Sequence, residues 1–228
     1  MKIAYVVLTC DALLKDRGLK IKQTWKNLID KEDSLYFLSS TPVPEENVLG
    51  YGDLDTYEGA PLKLMSLFKN SNFESDWVFI CDDDTFVFPK RLKELLLNYD
   101  HTKEICVCQH DQNSAACKHS KFDIQFSYTY PNGGAGIAMS KLLFDSVKKF
   151  LCNYKYPKYI PYTRNSDISL GLWAKMMKFE NYVNRGDVLT YFSPDDPINK
   201  NANLDVMVSM HHCNDKHFDM LYSIATKV

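Results

Sequence analysis

What this 228-residue sequence lacks narrows its function before any motif is considered. No stretch approaches the roughly 20 uninterrupted apolar residues that a membrane-spanning helix needs. The apolar start, Met1 to Leu8, is too short to span and lacks a signal peptide's layout, so it reads as a first buried strand. No membrane span is expected. Charge of either sign is not in excess: 27 basic against 29 acidic residues leave a net charge of -2, and nothing draws the chain globally to nucleic acid or an anionic membrane. Lys15, Lys20, Lys22 and Lys26 read as one exposed helix face, and no nucleic-acid module is visible. An anionic ligand must therefore be met locally.

Repeats, coiled-coil heptads, low-complexity tracts and Asn-x-Ser/Thr acceptor sites are also missing. The seven cysteines are odd in number, and several lie in apolar runs where a reduced thiol packs as a small hydrophobe. These features point to a reducing, cytoplasmic compartment if this is the whole protein; a domain trimmed from a Golgi-lumenal protein would share them.

What is present describes one core. At 45% hydrophobic and this length, residues 1–228 are expected to form a single domain. Apolar runs at 2–9, 34–39, 77–81, 104–108, 124–129, 187–192 and 206–211 read as strands. They alternate with helical patterns at 13–29, 59–70, 89–98, 140–151, 167–178 and 215–225. The alternation predicts an α/β fold, a central sheet flanked by helices. Prolines mark loops at 40–46 and 155–161, and the polar stretch 109–123 reads as a mobile loop beside a binding site.

The chemistry concentrates where Trp77-Val78-Phe79-Ile80-Cys81 stops at Asp82-Asp83-Asp84-Thr85. A buried strand delivers three carboxylates to its C-terminal edge, where ligands bind in open α/β sheets. Adjacent carboxylates raise one another's pKa unless a cation offsets them. Mg²⁺ or Mn²⁺ suits the task, since each takes one or two carboxylates and completes its shell with water and substrate phosphates. In an extended chain Asp82 and Asp84 face one side and Asp83 the other, so Asp84 is expected on the metal with Asp83 as support. The bland alternative is a solvated acidic turn.

Three further features stand apart in sequence. Gly133-Gly134-Ala135-Gly136 is either a tight turn into a helix capped by Ser140 or a floor against which a ligand packs. The Gly-Lys-Ser/Thr of a phosphate-cradling P-loop does not follow it. Asp167 lies near a helix start, where dipole and amides keep a carboxylate ionised; it reads as a helix cap or as a general base. His211-His212 ends a strand, and either imidazole is a suitable Mn²⁺ ligand.

Taken in order, these motifs resemble the Fringe and T-synthase branch of inverting β-1,3-glycosyltransferases. The resemblance spans about 200 residues: Arg17 with Thr24-Trp25, Lys63 in Pro61-Leu62-Lys63-Leu64, Asp76-Trp77, Asp82 to Thr85, the glycine turn with Ser140, Asp167 to Gly171, and Ser209-Met210-His211. It implies a Rossmann-like GT-A fold with a mixed sheet, a nucleotide-sugar half at about 1–110 and an acceptor half at about 111–228. It also implies Mn²⁺ or Mg²⁺ on Asp84 and His211, and a UDP-sugar donor met by Arg17, Lys63, Asp82, Asp83, Gly134 and Ala135. Asp167 becomes the base toward a hydroxyl of a glycan or glycoprotein acceptor. Relatives carry an acidic residue directly before the base where this chain has Ser166, and Asp195-Asp196 is a rival carboxylate pair. A retaining transferase, a nucleotide-sugar hydrolase, or an idle glycan-binding or partner protein of the same fold are the alternatives. Tyr128, Tyr130, Tyr162 and Trp173 are candidates for stacking on sugar rings or for the core.

Overall fold

The computed structural model describes residues 1–51, 55–111, 128–155, 160, 162–197 and 203–227. The strand expected at 124–129 and the loops at 109–123 and 155–161 fall mainly outside them. The chain opens with strand β1 (Ile3–Leu8), helices α1 (Asp11–Leu13) and α2 (Leu19–Gln23), strands β2 (Ser34–Ser39) and β3 (Val48–Gly50), and helix α3 (Ala60–Asn70). Then come β4 (Trp77–Asp82), β5 (Phe86–Val87), α4 (Pro89–Leu96), β6 (Cys106–Cys108), β7 (His110–Asp111), β8 (Tyr130–Pro131) and β9 (Ile137–Ser140). The last part holds α5 (Lys141–Cys152), α6 (Ser166–Met176), β10 (Tyr182–Asn184), β11 (Leu189–Thr190), β12 (Ser209–Met210) and α7 (Asp215–Ala225).

Seven strands form a mixed central sheet in the order β10-β6-β9-β4-β1-β2-β3. Strand β1 is buried along its whole length, as an interior parallel strand must be. Ile3, Tyr5 and Val7 face one apolar cluster with Trp25, Phe37 and Phe79. Ala4, Val6 and Leu8 face the other, with Leu64, Phe68 and Phe144. Helices cover that second face. Helix α5 turns Leu143, Phe144, Val147 and Leu151 inward, a 3.6-residue stripe in which each side chain contributes about 2 kcal/mol by leaving water.

Strand order places the site. From β1 the chain steps outward to β2 and β3, then returns to lay β4 parallel on β1's other side. The order therefore reverses at β1, and the C-terminal ends of β1 and β4 open onto a switch-point crevice. Strand β9 runs antiparallel to β4, with Ile137 opposite Ile80 and Ser140 opposite Trp77. Its beginning therefore meets the end of β4, and the glycine turn lands beside the aspartates.

Two expectations are corrected. The helix expected at 13–29 is broken into α1, a π-helical turn at Leu14–Gly18, α2 and a 3₁₀ turn at Trp25–Leu28. The rupture after α2 falls at Thr24, whose backbone leaves the helical region and whose hydroxyl bonds back to the Lys20 carbonyl. The residues after the glycine turn do not enter a helix at once. Ile137–Ser140 first forms β9, because pairing on both sides with β4 and β6 overrides local preference. Ser140 then caps α5, accepting from the Leu143 amide, as expected.

Candidate active site

The crevice is a cleft of about 370 Å³ lined from both halves of the chain. At its centre, β4 ends in Asp82, and the following turn is pinned by the Thr85 hydroxyl donating to the Gly134 carbonyl at 2.8 Å. The second sheet supplies the histidines. Strand β12 pairs antiparallel with β5, Met210 opposite Phe86, and the Cys213 amide donates to the Asp84 carbonyl at 2.9 Å. His211 Nε2 consequently lies 2.9 Å from Asp84 Oδ1 and 3.5 Å from Asp82 Oδ2.

Gly134 makes this approach possible. A Cβ there would stand 2.3 Å from the His211 ring. Gly136 has φ of +96°, and a Cβ on it would lie 2.2 Å from Phe79 Cζ, so both positions require glycine. Tyr191, which follows β11, packs its ring 4.8 Å from that of His211 and 4.9 Å from that of His212.

Asp83, in the turn after β4, is directed to partners other than His211. It accepts from Thr9 Oγ1 at 2.7 Å and from Arg17 Nη1 at 2.7 Å. The π-helical turn projects Arg17 to this point, and the same guanidinium lies 3.4 Å from Asp84. Lys63 lies deeper and is only 2% exposed. Its ammonium donates to Asp55 at 2.6 Å and to the Thr9 carbonyl at 3.0 Å, tying the loop before α3 to the end of β1. Ala135 does not line the cleft; its methyl is in the core and its carbonyl accepts from the Ser209 hydroxyl.

Asp167 reaches the same cleft from α6. Its carboxylate accepts from the Gly133 amide at 3.2 Å and the Ile168 amide at 2.7 Å. The spacing from Asp167 to Gly171 is one helical turn, so both lie on one face. Gly171 lets α6 close on β8, where a Cβ would meet that of Tyr130 at 2.5 Å. This close packing brings Asp167 against the glycine turn.

The charges do not balance. Burial raises the Asp82 pKa most, His211 opposes it, and the neighbouring Asp84, Asp167 and Asp83 push it further, up to about 7, although 39% of its side chain is open to water, which weakens the effect of burial. Burial also acts on Asp84, but the hydrogen bond and charge of His211 and the charge of Arg17 win, and its pKa is lowered. Burial alone would depress His211, yet Asp84 and Asp82 raise its pKa. For Asp167 the expectation of a depressed pKa is corrected: burial outweighs the two amides and the net shift is upward.

Such a cluster fits a divalent cation. Ligand atoms of Asp84, His211 and His212 lie within 4.8 Å of one another, and mixed carboxylate and imidazole donors suit Mn²⁺. His212, in a left-handed backbone conformation at φ of +53°, is the exposed member.

The aromatic candidates separate. Trp173 is fully buried, edge-on to Phe68, and Tyr128 is buried with its hydroxyl on the Ile168 carbonyl, so neither is open to a sugar. Among the described residues, the tyrosines that line the cleft are Tyr57 and Tyr191. Neither sits in a motif, and no sequence signal marks them. Thr9 and Asp55 were also unmarked, although Thr9-Cys10-Asp11 directly follows β1 and so lies at the same sheet edge as the aspartates.

Comparison with known proteins places this geometry. A sequence profile described as Fringe-like matches residues 2–181. The chain belongs to the Fringe-like family. A human β-1,3-glucosyltransferase is 28% identical over 104 residues, 44% of this chain and 21% of that protein. The Fringe-like chain thus spans about a fifth of that relative's length. Its fold is of the GT-A type. The galactosyltransferase LgtC, solved with donor and acceptor sugar analogues, superposes with a TM-score of 0.55 at 15% identity, covering 100% of this chain and 97% of that one. A glycosyltransferase involved in glycosylating the major capsid of PBCV-1 gives 0.53 at 10% identity, over 96% and 100%. The human relative and both superposed structures are glycosyltransferases. His211 lies beyond the matched 2–181 segment, in the part of this Fringe-like chain that closes back onto the aspartates.

Among the described residues, Cys10, Cys81, Cys106, Cys108, Cys152 and Cys213 are free thiols, and no helix is long and apolar enough to cross a membrane.

Proposed function

We propose that this chain is a metal-dependent, inverting glycosyltransferase that moves a sugar from a UDP-sugar to a hydroxyl of a glycan or glycoprotein, forming a β-1,3 linkage. The carrying observation is that Asp84 and His211, far apart in sequence, meet at 2.9 Å in a cleft that Asp167 also lines. Asp84 and His211 would hold Mn²⁺ or Mg²⁺, with Asp82 facing the donor sugar or ribose. When bound there, a divalent cation would supply charge stabilisation for the departing diphosphate.

The remaining work belongs to side chains. Arg17 neutralises Asp83 and leaves a positive edge toward the diphosphate. Lys63 shapes the donor wall by anchoring Asp55. Asp167 takes the proton from the acceptor hydroxyl as that oxygen attacks the anomeric carbon from the face opposite the nucleotide. Burial raises its pKa, which strengthens it as a base.

The test is a calorimetric titration of UDP and a panel of UDP-sugars, with Mn²⁺ and with chelator, into wild-type protein and Asp84→Ala. Binding that requires the metal and disappears in the variant supports the reading and names the donor. The anomeric configuration of the product, read by NMR, separates inversion from retention. Absence of UDP binding under every metal condition sinks the proposal.

A further inference from the structure

Tyr57 stands at the mouth of the cleft on the short turn Tyr57–Gly59, with 68% of its surface in water. Packing does not hold a ring so exposed on a single turn. A hydrogen bond does: Asn165 Nδ2 donates to the Tyr57 hydroxyl at 2.9 Å. One residue along each segment, Arg164 Nη2 meets Glu58 Oε1 at 2.7 Å, a second stitch between the same two pieces of chain.

The partner segment is informative. Asn165 occupies the N-cap position of α6, where its side chain would ordinarily accept from the helix's first amides. It makes no such capping bond, and its amide group goes to Tyr57 instead. The ring is therefore fastened to the first turn of the helix that carries Asp167, two residues on. Burial, then the charges of Asp167 and Asp82, raise the pKa of the Tyr57 hydroxyl, which places the phenol within the field of both carboxylates. Tyr191 is engaged with the two histidines, whereas among the described residues no aromatic ring covers that of Tyr57.

We infer that Tyr57 is the platform on which the acceptor's sugar ring stacks, its place set by Asn165 so that the reacting hydroxyl meets Asp167; this rests on the transferase reading of the cleft. A pyranose offers an apolar C–H face with hydroxyls around its rim. An exposed aromatic face beside a carboxylate matches both, in the usual pattern of an apolar wall with a few converging polar groups. The ring's attachment to the Asp167 helix, rather than to the aspartate turn, assigns it to the acceptor and not to the uracil.

The experiment compares wild-type protein with Tyr57→Ala and Tyr57→Phe in the presence of Mn²⁺. UDP-sugar affinity is measured by calorimetry, binding of a panel of methyl glycosides by saturation-transfer NMR, and acceptor KM for any glycoside that is used. Tyr57→Ala is expected to weaken glycoside binding and raise acceptor KM at least tenfold while UDP-sugar affinity stays within twofold. Tyr57→Phe keeps the face, loses the tie, and falls between. Equal glycoside binding by wild type and Tyr57→Ala, or none by wild type, overturns the inference. So does a matching loss of UDP-sugar affinity, which would give the ring to the uracil. Wild-type protein that binds glycosides through Tyr57 yet takes no UDP-sugar refutes the transferase reading and leaves the platform standing.

Discussion

Replacing Gly134 with alanine tests the metal site through its packing. Gly134 is outside the left-handed region, so alanine meets no backbone penalty. The obstacle is the imidazole: the new Cβ would stand 2.3 Å from Cε1 and Nδ1 of His211 and 2.5 Å from Nε2. Ordinary contact begins near 3.4 Å, so the ring must retreat by about 1 Å. Tyr191 and His212 pack against it, with ring centroids 4.8 and 3.8 Å away, so it cannot simply swing aside.

A retreat of that size separates Nε2 from Asp84, now 2.9 Å away. Metal–ligand distances tolerate about 0.2 Å. Misorienting a ligand costs about 10- to 100-fold in affinity, or about 1.4–2.7 kcal/mol. Overpacking removes about 1–3 kcal/mol of stability besides. The assay is a Mn²⁺ titration of wild type, Gly134→Ala, His211→Ala and the double variant, with thermal unfolding of each. In the His211→Ala background the methyl has room, so the second substitution should add little to either loss. Wild-type Mn²⁺ affinity in Gly134→Ala, or full additivity in the double variant, would refute the reasoning.

Other expectations follow from the same geometry. Asp167→Asn should lower kcat about 10²- to 10⁴-fold while leaving UDP-sugar affinity unchanged, measured by steady-state kinetics and calorimetry; a wild-type kcat removes Asp167 from the mechanism. Because burial raises the Asp167 pKa above its ordinary 3.8 and the base must be ionised, activity should fall as pH drops through that raised value, seen in a kcat/KM–pH profile. The folded state binds this proton more tightly than the unfolded chain, so Asp167 gives up stability as pH rises through the same window. Asp167→Asn should therefore melt no lower than wild type at pH 7. Lys63→Ala leaves Asp55 without its cation and should cost about 2 kcal/mol in urea unfolding, below the cost of breaking a fully buried pair because Asp55 is partly open to water. Gly136→Ala combines a left-handed backbone with a Cβ 2.2 Å from Phe79 and should lose soluble expression, or at least about 3 kcal/mol of stability by urea unfolding.

The sequence by itself determined the ingredients. The apolar run of β4 stopping at Asp82, the period of α5 and the Ser140 cap are local signals. Each reports a hydrophobic pattern or a backbone requirement that neighbouring residues impose. The alternation expected of Asp82, Asp83 and Asp84 presumed an extended chain, whereas β4 ends at Asp82 and the other two lie in a turn. Long-range pairing was not legible. Ile137–Ser140 becomes a strand only because β4 and β6 lie on either side of it, and the helix expected at 13–29 breaks at a point that no composition marks. Only the family resemblance paired His211 with Asp84; the local pattern could not, since their 2.9 Å approach depends on the β5–β12 register and on the space left by Gly134. Tyr57 and Tyr191 have no motif, and only the closing of separate segments around the cleft sets them beside the carboxylates. The upward shift of the Asp167 pKa ran against the local expectation, because helix amides act over one turn whereas desolvation sums every wall the fold brings in. Local periodicity thus specified which chemical groups exist and on which edge they emerge. Packing between distant segments decided which of them meet, and at what charge.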